Sequence, residues 1–315
     1  MQTSELSNQS LSDTMVMEPV EQKKKTIRFI VNPFSGKNEH HHISEIIQSA
    51  VDLEKYEFEI CLTEFAGHAQ QLCREAVESG TNIVVAVGGD GTINEVASQV
   101  IHTKTILGIV PIGSGNGLAR HLGIPLSVKK AIQLINKCNT AAIDTATING
   151  KAFVSIAGIG FDALVAREFS KNGKRGFFSY LRIITKEYRS YKPKNYILKF
   201  DDGEEIKTSA LFISFANSNQ FGYNTSIAPH AKLDDGKLDV CIVQKPRILA
   251  MPLIANLLFL KQVHRSPFVE IIPASRLTVK RSSRGVNMDG EAVKLKRNLT
   301  IEVNSLSLRI IIPEK

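Results

Sequence analysis

Ile83-Val84-Val85-Ala86-Val87-Gly88-Gly89-Asp90-Gly91-Thr92-Ile93-Asn94-Glu95-Val96 is an unbroken apolar run that stops at three glycines around one aspartate and then takes on a helical pattern. Residues 83–87 read as a strand buried on both faces. The glycines let the chain turn sharply enough for bare N–H groups to approach an anion. The helix that follows points its partly positive N-terminus at the same spot. No packing need explains Asp90, and a carboxylate in a phosphate-binding turn holds Mg²⁺ or takes a proton, so the stretch points to nucleotide chemistry. The plainer alternative is a glycine-rich turn with a solvated Asp.

Outward from this turn, strand and helix alternate. Thr26 to Asn32 is a strand ending in Pro33-Phe34-Ser35-Gly36-Lys37, with a helix from about Ile43 to Leu53. Tyr56 to Thr63 is a strand leading into Gly67-His68-Ala69 and a helix through Ser79. Ile106 to Pro111 is a buried strand ending in Ile112-Gly113-Ser114-Gly115-Asn116-Gly117, and Val128 to Asn136 is a helix. Each special loop follows a strand, which predicts a parallel sheet with a ligand crevice at the strands' carboxyl ends. From about residue 143 the rhythm changes. Ile143 to Ile148 and Ala152 to Ala157 flank Asn149-Gly150, a type I′ hairpin signature. The runs Tyr196–Phe200, Ser209–Ala216, Leu238–Val243, Phe268–Ile272, Arg276–Lys280, Leu299–Val303 and Ser307–Ile312 complete an expected antiparallel β-sandwich. The expected fold class is thus α/β plus all-β, with a tail over 1–24, an α/β domain over 25–142 and a sandwich over 143–304.

The chain has 315 residues, 43% of them hydrophobic, enough for two cores, and a net charge of +8 that favours an anionic partner such as nucleotide phosphates, acidic lipid surfaces or nucleic acid. Cys61, Cys73, Cys138 and Cys241 lie far apart without a CxxC pair, so neither zinc nor a disulfide framework is signalled and reduced cytosolic thiols fit. The polar start ending in Lys23-Lys24-Lys25 reads as a disordered tail, and Ile248 to Leu260 is too short to span a membrane. A cytoplasmic protein without a transmembrane segment is expected.

Several local patterns have two readings. No Walker sequence occurs. Gly158-Ile159-Gly160-Phe161-Asp162-Ala163 matches GxGxxA but sits in the antiparallel half, without a ribose-binding carboxylate downstream. Met288-Asp289-Gly290-Glu291 is either a hairpin turn or a source of a general base, and Asp234-Asp235-Gly236-Lys237-Leu238-Asp239 a turn or a hard-cation site. His40-His41-His42 reads as a solvated helix start, and His68 as a local cap. Lys174 to Ile184 and Arg247 to Arg265 mix bases with apolar residues, as core helices with basic edges or as interfacial helices touching lipid. No aromatic-interleaved platform for nucleic acid is present.

Taken together, NPFSGK (32–37), TEFAGHA (63–69), VAVGGDGTINEVA (85–97), PIGSGNGLARHLGIP (111–125), DDGKLDV (234–240) and MDGEAV (288–293) occur in the order seen in the lipid kinases that include diacylglycerol kinases and sphingosine kinases. The chain resembles that family over residues 28 to about 293. The resemblance implies a first domain like that of NAD kinases, a C-terminal β-sandwich, and a chain end, 305–315, that returns to the first domain. It implies ATP against Asn32, Pro33, Phe34, Ser35, Gly36, Thr63, Gly89, Asp90, Gly91, Thr92, Ile93, Asn94, Glu95 and Ser114, with Mg²⁺ near Asp90; Lys37 is a candidate further cation near the γ-phosphate. The DGE element resembles the family's base, making Glu291 the proton acceptor with Asp289 beside it, whereas the sphingosine kinase pattern gives that role to Asp90. A structural Mg²⁺ at the DDG turn, as in bacterial members, would use Asp235 and the carbonyls of Lys232 and Lys237.

Where bacterial diacylglycerol kinases commonly have Gly-Thr-x-Asn-Asp, this chain has Gly113-Ser114-Gly115-Asn116-Gly117, closer to the sphingosine kinase form. Asp162 sits where sphingosine kinases contact the head group. The expectation is an ATP- and Mg²⁺-dependent lipid kinase at the membrane surface, acting on diacylglycerol or a sphingoid base, with room for a homodimer and no nucleic-acid partner. An NAD kinase-like transfer to a soluble acceptor and a non-catalytic nucleotide or lipid binder are the competing readings.

Overall fold

The computed structural model describes residues 24–36, 40–171, 176–222 and 225–314. The expected tail (apart from Lys24), Lys37 and the Lys174-Arg175 pair lie outside them. In the first half, β1 (Lys25–Val31), β2 (Tyr56–Leu62), β3 (Ile83–Gly88) and β4 (Ile106–Pro111) form a parallel sheet in the order β2-β1-β3-β4. Helices α1 (His40–Ala50), α2 (His68–Glu78), α3 (Asp90–Val100), α4 (Gly117–His121) and α5 (Val128–Lys137) connect and cover it. Every residue of β3 is buried, as the continuous apolar run requires of a strand covered on both faces. Ile47, Cys73, Val96 and Ile132, one from each of four helices, close the core around Val85 and Leu107. Burying each such aliphatic side chain stabilises the fold by roughly 1.5–3 kcal/mol.

The hairpin of β5 (Thr140–Ile148) and β6 (Lys151–Phe153) has φ of 51° at Asn149 and 79° at Gly150, the left-handed pair a type I′ turn demands. The expected strand Ala152–Ala157 is two strands in different sheets: β6 ends at Phe153 and β7 (Ile156–Gly160) begins after a break. The break has a cause. The amides of Val154, Ser155 and Ile156 turn away from the ladder to donate to the Asp289 carboxylate.

The chain continues through α6 (Phe161–Lys171), α7 (Phe177–Ser190), β8 (Lys194–Phe200), β9 (Glu205–Ala210), β10 (Phe212–Ala216), β11 (Gln220–Gly222), β12 (Thr225–Ser226), β13 (Leu238–Val243) and α8 (Met251–Phe259). It ends with β14 (Val269–Ala274), β15 (Arg276–Arg281), β16 (Gly285–Met288), β17 (Glu291–Lys294) and β18 (Asn298–Ile311). The expected run Ser209–Ala216 is also split, at Leu211, whose N–H donates to the Val243 carbonyl and whose carbonyl accepts from the Phe161 amide. A second sheet, β14-β13-β10-β7-β16-β17, is antiparallel and packs against the first through Phe153, Ile159, Tyr196, Phe215, Val279 and Ile301.

The two expected runs at the chain end form one 14-residue strand, β18, with a register shift between Asn304 and Leu308. Leu306 bends there with φ 47°, and its amide donates to Asp144 Oδ1 at 2.7 Å. The N-terminal half of β18 pairs antiparallel with β15, and Ile310 pairs parallel with Leu107 of β4. The parallel sheet therefore runs on, through β18, into the antiparallel half. No described helix is long and apolar enough to cross a membrane.

Candidate active site

The three glycine loops converge. A Cβ on Gly36 would stand 2.7 Å from the Ile112 carbonyl oxygen, and one on Gly113 would stand 2.5 Å from the Gly89 Cα, so only glycine lets the loops after β1, β3 and β4 touch. Asn32 Nδ2 donates to Thr92 Oγ1 at 3.0 Å, and the Phe34 amide donates back to Asn32 Oδ1 at 2.9 Å, shaping the turn. Ser35 and Thr63 are buried beside it, Pro33 is half-buried, and the Phe34 ring is exposed. Helix α3 starts from Gly89 without a side-chain cap, so its N-terminus faces the junction uncapped. Along α3, Gly91, Thr92, Ile93, Asn94 and Glu95 follow. Asn94 Oδ1 is buried without a partner, and Glu95 Oε1 accepts the Gly67 amide at 3.0 Å.

Asp90 does not stand free in this junction. Its two oxygens accept the amides of Asn116 at 2.9 Å and Gly117 at 2.7 Å, which ties α3 to the start of α4. Burial pushes its carboxyl up, while those amides pull it down. Asp90, Ile93 and Ser114 form one wall of a cleft of about 190 Å³. Its other wall comes from the antiparallel half: Val154 to Ile156, Asp162, Asn287, Asp289 and Gly290. Ala166, Phe169 and Tyr180 give the cleft an apolar end.

Two acidic residues of the second half, Asp289 and Asp162, line this cleft, and a third, Glu291, follows the lining residue Gly290. Asp289, 7% exposed, accepts the amides of Val154 at 2.8 Å through Oδ2 and of Ser155 and Ile156 at 2.9 and 2.8 Å through Oδ1. Burial pushes its carboxyl up to about 6 against those amides, with the Asp90 charge adding to the push. Asp162 is buried, and burial raises it to about 6 against the hydrogen bond from Asn287 Nδ2 at 2.9 Å. The glycine at 158 has a local reason: a Cβ there would overlap the Asp162 carboxylate. The GxGxxA match thus makes room for a side chain. Glu291 opens to solvent on one side, and its Oε1 lies over the first turn of α3, 3.3 Å from where a Gly91 Cβ would be. Partial desolvation and then the Glu95 charge push its carboxyl up.

Two pairs of carboxylates repel here, Asp289 with Asp90 in the cleft lining and Glu291 with Glu95 outside it. The Asp90 carboxylate beside the uncapped N-terminus of α3 is a hard oxygen donor of the kind Mg²⁺ takes together with phosphate oxygens, while among the described residues no three acidic, His or Cys side chains gather into a cation site. The DDG turn lies elsewhere. Lys232, Asp235 and Lys237 are exposed and do not line the cleft, and Asp235 Oδ1 accepts the Lys237 amide at 3.1 Å. Among the described residues no three acidic, His or Cys side chains gather there. This loop is held by buried Asp144, which accepts the Gly236 amide at 2.7 Å through Oδ2 and, through Oδ1, the Leu306 amide that bends β18. His68 Nδ1 accepts the Glu64 amide at 3.1 Å, the local role expected of it.

Sequence reasoning missed Asn287, which links Asp162 to the Gly290 amide, and Gln220, whose buried Oε1 faces the cleft without a partner. A signal for Asn287 existed. It lies two residues before Asp289, on the strand face opposite core residue Met288. Gln220 carried none.

Comparison with known proteins places this geometry. Residues 26–148 match the diacylglycerol kinase catalytic domain, and residues 155–312 match the YegS C-terminal NAD kinase beta sandwich-like domain. The chain belongs to the diacylglycerol kinase and YegS-like lipid kinase family. It is 31% identical to a protein of Pseudomonas syringae pv. tomato named "Probable lipid kinase YegS-like", covering 79% of this chain and 83% of that one. It is 27% identical to a Bacillus subtilis protein named diacylglycerol kinase, covering 85% and 90%. A diacylglycerol kinase structure from Bacillus anthracis superposes with a TM-score of 0.73 at 22% identity, over 93% of this chain and 98% of that one.

Proposed function

We propose that the chain is an ATP- and Mg²⁺-dependent kinase that transfers the γ-phosphoryl group to the hydroxyl of a membrane lipid, diacylglycerol first among the candidates. The observation that carries this reading is the position of Glu291 over the first turn of α3, directly after Gly290 of a cleft that also holds Asp90, Asp162, Asp289 and an apolar end. In this reading the uncapped N-terminus of α3 and the loops after β1 and β4 seat the phosphates. Mg²⁺, when bound beside Asp90, would supply positive charge that offsets the phosphates. Glu291, raised and with its oxygens uncommitted to backbone, takes the hydroxyl proton. Asp289 anchors the turn that presents Glu291, because its own oxygens are engaged by three amides. Asp90 holds the two glycine loops together and would be the carboxylate available to a nucleotide-bound cation. Asp162 orients the acceptor's polar head, with Phe169 and Tyr180 against its hydrocarbon.

A membrane-surface site for this reaction is supported by α7 and α8. No described residue of α8 is buried, and Leu249 and Leu253 are 90% and 61% exposed. Phe178 and Leu181 of α7 are exposed, and Met251 packs onto the α7 cluster that includes Ile183 and Tyr188, bringing both helices to one side. Lys245, Arg247 and Lys261 flank this apolar edge, a composition suited to the cytoplasmic face of a membrane. The test is transfer of label from γ-labelled ATP to diacylglycerol, sphinganine or NAD in mixed micelles. Lipid labelling that Glu291→Gln abolishes is expected. Labelling of NAD alone, or of none of the three, overturns the reading.

A further inference from the structure

Helix α6 has two working faces. Asp162, Ala166 and Phe169 line the cleft, while Ala163, Leu164 and Arg167 turn to a separate groove of about 740 Å³ on the other side. This groove is walled by Arg167, Lys192, Lys194, Arg284 and Lys294, and no carboxylate lines it. Arg167 has an ion pair to Glu168 at 2.9 Å, and Lys194 Nζ lies 5.5 Å from the Tyr191 ring centroid. Lys192, Arg284 and Lys294 have no ion-pair partner among the described residues.

The wall that carries Arg284 is braced from beneath. Buried Arg281 donates to the carbonyls of Gly285, Arg284 and Lys296, the latter two at 3.2 Å, so the inner side of the 284–285 bend is taken up by an internal guanidinium. Burial lowers Arg281 to about 10, still charged at neutral pH, so it adds a positive charge under the same wall. Among the described residues only Arg167 of these five cations has an ion-pair partner, so like charges gathered around one groove repel one another, and a bound anion relieves that repulsion. Arginine offers a planar fork to phosphate and lysine a point charge. Ala163, Leu164, Tyr191, Ala292 and Val293 add apolar surface beside the cations, and the groove is far larger than one phosphate ion.

We propose that the groove between α6, the 190–194 segment and the β16–β17 hairpin is a second, non-catalytic site that binds a phosphate monoester through Arg167, Lys192, Lys194, Arg284 and Lys294. A ligand there bears on α6 and β17, the elements that carry Asp162 and Glu291, from the side opposite the reaction. The site stands on its own charges and does not depend on the kinase reading.

The test uses the full chain and two charge-matched triple variants. One is Lys192→Gln with Arg284→Gln and Lys294→Gln. The other is Lys129→Gln with Lys130→Gln and Lys137→Gln on α5, away from the groove. The probes are inorganic phosphate and glycerol 3-phosphate, read by calorimetry and thermal shift, and phosphatidylcholine vesicles carrying either phosphatidic acid or phosphatidylglycerol, read by sedimentation. Wild type and the α5 variant should bind phosphate and glycerol 3-phosphate, with the groove variant weaker by about tenfold or more. Preferential retention on phosphatidic acid vesicles, lost in the groove variant alone, identifies a lipid head group as the source. Soluble binding without that preference identifies a free phosphate ester. Equal behaviour of the two triple variants, or no binding by wild type, overturns the proposal. Glu291→Gln should bind like wild type, which keeps this outcome separate from failure of the kinase reading.

Discussion

The Asp90 carboxylate accepts the Gly117 amide at 2.7 Å, fastening the first residue of α3 to the first residue of α4. Asp90→Asn can keep only one of the two amide bonds, because its NH₂ would confront the other donor. The cost is about 1–3 kcal/mol, concentrated in loop 113–117. A lower melting temperature, a higher KM for ATP and a lower kcat are expected together. Wild-type KM with a wild-type melt would mean that this tie does not shape the nucleotide seat.

Glu291 and Asp289 should separate cleanly despite being two residues apart. Glu291→Gln leaves the melt and ATP affinity near wild type while kcat falls roughly 10²–10⁴-fold. Asp289→Asn, by contrast, presents an NH₂ to backbone donors in a buried setting, so stability drops by about 1–3 kcal/mol along with activity. Calorimetric melts beside initial rates distinguish the two. A stable but inactive Asp289→Asn would move the base assignment to Asp289.

Burial raises Asp162 to about 6, above its ordinary value of 3.8. The folded protein keeps this proton after the unfolded chain has released it, so stability falls as pH rises from about 4 to about 6 and the full penalty stands above that. Asp162→Asn keeps the Asn287 bond through its amide oxygen and removes the penalty. It should therefore melt higher than wild type at pH 8, by at most about 3 kcal/mol, and equally at pH 4. Its KM for the lipid acceptor should rise. A melting difference of the same size at both pH values would remove Asp162 as its source.

Leu249→Glu combined with Leu253→Glu alters two exposed side chains and no core contact. Its melt should match wild type. Sedimentation with anionic vesicles should weaken by tenfold or more, since each buried leucine contributes about 1.5–3 kcal/mol to membrane contact. Undiminished sedimentation would place the membrane face elsewhere.

The parallel half was legible because strands buried on both faces write themselves as unbroken apolar runs, and Ile83 to Gly88 and Ile106 to Pro111 do so. The meeting of the three glycine loops was foreseeable from their shared place after strands. The failures have one form. Val154-Ser155, Leu211 and Leu306 are each a point where a backbone amide leaves its ladder for a distant partner: Asp289, the Val243 carbonyl and Asp144 respectively. Those partners lie 135, 32 and 162 residues away along the chain. Hydropathy within a window does not encode such bonds. Asp144, flanked by Ile143 and Thr145, looked like an ordinary strand residue for the same reason.

Strand β18 is hydrogen-bonded to β15 at one end and to β4 and β5 at the other. A hinge needs a segment free to change its backbone angles, and here a segment joining the parallel half to the antiparallel half is a strand in a shared sheet, laddered except at the bend between Asn304 and Leu308. Any relative movement of the two halves would have to flex that shared sheet, and the bend at Leu306 is the place along β18 where its pairing lapses.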